Sequence, residues 1–101
     1  MNTLSDINFN YDRAIQQAER LEVLSRRLKK AANEDMERIL SAVNRAWKSA
    51  SASNYLRKGE TVEADLATMA EDLKKTALKI RTIAEQVREA EMEARRIADE
   101  H

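Results

Sequence analysis

The chain has no cysteine and no proline, a single glycine, and few aromatics: one Trp, two Tyr and one Phe in 101 residues. Without cysteine there is no disulfide and no thiolate metal site. The only histidine is His101, the last residue, expected to be disordered. Neither charge sign is in excess, since 18 Lys and Arg balance 18 Asp and Glu. That balance removes the electrostatic case for nucleic acid, which wants a basic surplus. No apolar run approaches the ~20 residues that span a bilayer, so no membrane insertion is expected. Met1–Asp6 carries neither a basic stretch nor an apolar one. The expectation is synthesis in the cytoplasm and, for any export, a route without a cleaved signal. Glycine-rich phosphate loops, Glu-x-x-His pairs and ligands at metal spacing are all missing. Pairs such as Glu34/Asp35 and Glu89/Glu93 are ordinary for a charged helix. The chain is therefore read as a non-enzyme with no cofactor and no metal.

What is present is helix-forming material. The residues are 36% charged and 43% hydrophobic, the profile of long helices. The length suits one small domain, 1–101. Long helices that bury one stripe each make a thin core, so a partner is expected.

The second half has the stricter period. Steps of four and three from Tyr55 reach Gly59, Val62, Leu66, Met69, Leu73, Thr76, Ile80, Ile83, Val87, Ala90, Ala94 and Ile97. Only Gly59 and Thr76 depart from apolar character. A spacing averaging 3.5 keeps one stripe facing a neighbouring helix over many turns. A second row, Ala70, Ala77, Ala84 and Ala98, lets another helix come close and widens the face to one that suits a bundle. In the first half Ile7, Tyr11, Ala14, Ala18, Leu21, Leu28 and Ala32 keep the same rule, with Ser25 interrupting. Leu24 and Ala31 widen this face. The stripe then slips by one residue to Met36, Ile39, Leu40, Val43 and Trp47, as a helix not locked to a heptad would. Asp35, beside this stripe, is read as a marginal group in water. Outer faces carry Glu-to-Lys/Arg pairs at i, i+4: Glu22–Arg26, Glu34–Arg38, Glu71–Lys75 and Glu91–Arg95.

Trp47 marks the expected fold point. Lys48–Ser53 is short and serine-rich, and Ser53 would cap a helix from Asn54. The other candidate turn is Arg57–Thr61, where Gly59 would stop a helix. The first is preferred, because the heptad frame runs unbroken through Gly59. The fold class expected is all-α: helices over about 8–47 and 54–98 joined at about 48–53, as an antiparallel helical hairpin pairing into a four-helix bundle. Each helix would be about 60–70 Å long.

Two helices of similar length around a Trp-centred turn resemble the WXG, or ESAT-like, proteins of type VII secretion. The stretch that carries the likeness is Ala46-Trp47-Lys48-Ser49-Ala50-Ser51-Ala52-Ser53-Asn54-Tyr55, with Ser49 where the family has glycine. The tail Ala90–Ala98 is similar to that of the WXG-like partners encoded beside LXG toxins in Gram-positive bacteria. The resemblance implies a helical adaptor, chaperone or targeting factor that binds the N-terminal helical region of a toxin. It also implies an export signal, Tyr-x-x-x-Asp/Glu, near the end of the second helix. Here Val87 occupies the tyrosine position and Glu91 keeps the acid. A partner would then supply the complete signal.

The expected partner interface is Leu66, Met69, Leu73, Ile80, Ile83 and Val87, packed with Leu21, Leu28, Met36, Ile39 and Val43, in a homodimer or in a heterodimer with a related hairpin. Trp47 would close the end of the hairpin, buried. The competing reading is a structural coiled-coil scaffold unrelated to secretion, with Trp47 on its surface. A membrane-surface helix is weaker, because it wants a polar face rich in Lys and Arg and these charges are mixed.

Overall fold

The computed structural model describes residues 3–47 and 50–100. The fold is all-α, with no strand among the described residues. Helix α1 spans Leu4–Lys30, a π-helical segment spans Ala31–Met36, α2 spans Glu37–Ala46 and α3 spans Ala50–Asp99. The chain packs as two compact units. One comprises Met1–Glu22 with Lys75–His101, the other Val23–Lys74.

Helix α1 starts earlier than the pattern of apolar residues suggested. Thr3 and Asp6 cap it reciprocally. The Asp6 N–H donates to Thr3 Oγ1 at 3.1 Å, and the Thr3 N–H donates to Asp6 Oδ2 at 3.3 Å. Two otherwise orphaned amides are satisfied, and the Ile7 N–H closes the first turn on the Thr3 carbonyl at 3.0 Å. This holds the start of the helix and buries Ile7.

Trp47 ends α2. Its backbone is extended (φ −122°, ψ 124°) and its N–H bonds the Val43 carbonyl at 2.8 Å. A helix break therefore falls at Trp47, but the expected burial is not found: Trp47 is 58% exposed. Lys48 and Ser49, the rest of the expected turn motif, lie outside the described residues, as does His101. Helix α3 has already begun at Ala50. Ser53 is thus inside α3 rather than capping it, and so is the alternative turn at Arg57–Thr61. Ala50 and Ala52 are the strongest helix formers and offset the weaker preference of Ser51.

In the first unit, stretches 3–22 and 75–100 run antiparallel, as shown by contacts of Glu22 with Arg81 and Tyr11 with Arg88. Ala18, Ala77 and Ala84 are buried along them. In the second unit the antiparallel order is set by Ser25 with Ala70 and Leu40 with Gly59. Ala32, Ala52 and Ala70 are buried there. The alanine row read from the sequence is therefore the inner face of α3 in both units, except Ala98, which is exposed. Ser25 does not interrupt the packing. It is buried, and its hydroxyl donates to the Ala70 carbonyl at 2.6 Å, which the small alanine leaves accessible.

The slip in the first-half stripe has a structural cause. Leu28, Ala32, Met36 and Leu40 face inward at three successive steps of four. A regular helix would bring Asp35 and Ile39 to that face instead. A π-turn absorbs one extra residue, so everything beyond it returns to the inner face displaced by one position. Ile39 is accordingly exposed and Leu40 buried. Asp35 is outside, paired with Arg38 at 3.6 Å.

Gly59 faces Leu40. A Cβ there would intrude on Leu40 Cδ2. The glycine does not turn the chain; its lack of a side chain lets the buried Leu40 lie directly on α3.

Two expectations follow. Deleting the exposed Asn33 converts the π-segment to regular helix and restores spacing of three and four. It preserves helix content and lowers Tm by no more than about 5 °C, whereas deleting the exposed Gln17 rotates α1 by about 100° and abolishes cooperative melting by circular dichroism. Gly59→Ala gains about 1 kcal/mol of helix propensity but overpacks Leu40, at about 1–3 kcal/mol. It destabilises the wild-type background and stabilises a Leu40→Ala background, a change of sign that denaturant melts read directly.

Candidate functional site

An apolar concavity lies within the first unit. It is a groove of about 250 Å³ between Ile7, Tyr11 and Ala14 on α1 and Ile80, Ile83 and Val87 on α3, with Arg88 and Glu91 at its edge. The helices position these groups by period alone. Tyr11 and Ala14 share a face of α1 with Ala18, and Ile80, Ile83 and Val87 follow one another at three and four. Its walls are aliphatic, and Ile83 is 58% and Val87 47% exposed.

The polar rim is a small network. The Arg88 guanidinium stacks over the Tyr11 ring at 3.8 Å from its centroid and donates to Glu85 at 2.7 Å. The Tyr11 hydroxyl lies on the same side of the groove and also favours the ionised Glu85 carboxylate. These two groups, Arg88 first, hold the Glu85 carboxyl below the usual carboxylate range. Glu85 in turn pushes the Arg88 pKa up. One turn away along α3, Arg81 bridges to Glu22 on α1 at 2.6 Å. Tyr11 is the ridge between this groove and a shallower depression beside Ile15, Arg81 and Glu85.

The structure brings together part of the set anticipated from sequence. Ile80, Ile83, Val87 and Glu91 meet at the groove. In the second unit Leu66 and Leu73 are half-buried, while Met69 is 51% exposed. Val87, read as a heptad core residue, is half outside because Ala84 and Arg88 take the inner positions. Two residues of the anticipated same-helix charge pairs have other partners: Glu22 reaches Arg81 on the neighbouring helix, and Arg38 pairs with Asp35.

Tyr11 was read only as part of the apolar stripe, and Arg88 and Glu85 were not singled out. Their signal was faint, since Glu85 and Arg88 sit three apart on a helix already dense with charge. The role of Tyr11 needs the antiparallel register. In the sequence it stands far from Val87 and Glu91, yet it lines the same groove. Among the described residues no three His, Cys, Asp or Glu side chains gather as a metal site, and no helix is long and apolar enough to cross a membrane. No family model, curated protein or solved structure matches the chain.

The lowered Glu85 pKa makes a signed prediction. Its stabilising effect is present above the ordinary carboxylate range and is lost as pH falls through the lowered value. Arg88→Met returns the Glu85 midpoint in a carbon-13 NMR titration to that range. Tyr11→Phe moves it in the same direction but less, since Arg88 is the larger cause.

Proposed function

We propose that the chain is a non-enzymatic helical adaptor: a helical hairpin of the WXG type, pairing with a second helical hairpin into a four-helix bundle. In this reading it serves type VII secretion as a chaperone or targeting factor for a toxin, and binds the toxin's N-terminal helical region. The observation that carries the pairing is a mismatch in what is buried. The inner faces are built of alanines, while Met69, Ile83 and Val87 remain about half exposed. Full burial of such a side chain is worth ~1.5–3 kcal/mol, so a partner that covers the row gains more than the alanine faces do. The groove beside Tyr11 offers a ready apolar seat.

The secretion assignment rests on the Trp47-centred turn and on the tail through Ala98. Trp47 as the extended residue that caps the end of α2 supports it. The same non-helical backbone weighs against a scaffold made of one unbroken helix. Val87 in place of the tyrosine favours a heteromeric adaptor whose partner carries the complete export signal.

Light scattering with small-angle scattering tests this. The wild-type chain is expected at twice the chain mass, or at equal stoichiometry with the helical region of a toxin encoded beside it, in a rod of about 60–70 Å. Ile83→Glu with Val87→Glu is expected to keep the helix signal and lose the complex. A particle of about 130–150 Å would establish the scaffold instead, and a wild-type chain that stays monomeric and binds no such region would end the proposal.

A further inference from the structure

The polar groups of the first-unit groove share one level. Arg88 and Glu91 stand three residues apart at its edge on α3, about 4.5 Å along the helix axis and on nearly one face. The Arg88 guanidinium lies 3.8 Å from the Tyr11 ring centroid, so Asn10, the neighbour of Tyr11 on α1, lines the groove at that level too. The rest of the lining, Tyr11 aside, is aliphatic. The apolar row of α3 is spaced evenly about the same level. Ile83 and Val87 precede it, Ala90 lies within it, Ala94 and Ile97 follow, and all five are exposed.

One base beside one acid, in a row spaced alike in both directions, meets the self-complementarity that an isologous interface requires. An axis crossing α3 between Arg88 and Glu91 makes two copies of the helix antiparallel. It sets Arg88 against Glu91 of the second copy, and Glu91 against Arg88, so neither charge meets its like. The same operation sets Ile83 by Ile97 and Val87 by Ala94. It also brings Asn10 towards Asn10 of the second copy, where each amide can both donate and accept.

We propose that the occupant of this groove is a second copy of the chain, related by a two-fold axis that pairs Arg88 with Glu91 twice. This rests on the pairing proposed above and names its partner.

Size favours that occupant. The groove, at about 250 Å³, falls below the ~300–1,000 Å³ of small-molecule pockets and suits side chains borne on a helix. The chain exposes 7618 Å², whereas a compact folded chain of 11.6 kDa exposes about 5,800 Å². The excess is larger than the ~800 Å² per partner that a standard interface removes from solvent. Within the interface the roles differ. Ile83 and Val87 supply the apolar burial. The charge pairs lie at the rim, add little affinity and fix the register. Asn10, an amide on an apolar seam, weakens the pairing and selects this alignment over others. Arg88 can serve two acids, since its guanidinium carries several N–H donors and one of them reaches Glu85.

Sedimentation velocity of the full chain, alone and with the helical region of the toxin encoded beside it, tests the proposal. Wild type is expected to be a dimer alone. Arg88→Glu and Glu91→Arg each set like charges together twice, and each is expected to weaken the dimer at least about tenfold with the helix signal kept. An equimolar mixture of the two folded variants is expected to return to within about threefold of wild type, as a one-to-one heterodimer, because every base again meets an acid. Asn10→Leu is expected to tighten self-association and to admit assemblies beyond the dimer. Single variants that dimerise like wild type, or a mixture that does not recover, overturn the inference. So does a wild-type chain that is monomeric alone yet binds the toxin region, an outcome that leaves the adaptor reading standing. A monomer that binds neither ends both. Glu91→Arg leaves the Arg88 and Tyr11 side chains in place, so its effect on the dimer decides even where Arg88→Glu does not fold.

Discussion

Close approach of helix backbones is the constraint on which the rest of this structure depends. Ala18, Ala32, Ala52, Ala70, Ala77 and Ala84 occupy the inner faces, and Gly59 goes further by presenting no side chain to Leu40. Such faces bury little area per residue, and so contribute less than rows of Leu or Ile would. They return something else. With backbones near, a serine hydroxyl reaches a main-chain carbonyl on the opposite helix, as Ser25 does to Ala70. Side chains at the margins, such as Glu22 with Arg81 and Tyr11 with Arg88, are brought within direct reach.

The same economy shapes the outer surface. Small residues inward leave the larger aliphatics of the heptad stripe with nowhere to be wholly covered. Ile83 and Val87 line an open groove, and Met69 is half in solvent. A thin inner seam beside an incompletely covered apolar row is the condition under which association with another helical surface stabilises both partners. The proposed adaptor role is one expression of that condition.

Polar groups on the inner faces carry different consequences. Ser25 is fully provided for and costs nothing in specificity. Glu63 is not: its Oε2 is buried without a hydrogen-bond partner where most neighbours on the row are alanine. The π-segment adjoining Glu37 shows the same tolerance of local irregularity. One additional residue is absorbed in Ala31–Met36, and Met36 and Leu40 return to the inner face at the price of a looser turn.

Much of the helical content was legible along the chain. The heptad spacing through α3 marked its continuity across Gly59, and Trp47 marked the break, because period and local backbone preference are properties of neighbours in sequence. The slip at Met36 was visible too, but not its cause, since drift and a π-turn displace a stripe alike. The Thr3–Asp6 cap was present in the sequence and overlooked for lack of apolar pattern around it. The two rows of α3 were both readable, yet which of them faces inward was not. Alanine and aliphatic rows lie side by side on one helix, and only the distance of the neighbouring backbone selects between them. Tyr11 with Arg88, and Ser25 with Ala70, belong to that second class. Their partners are distant in sequence and become neighbours through antiparallel register, which tertiary packing alone decided.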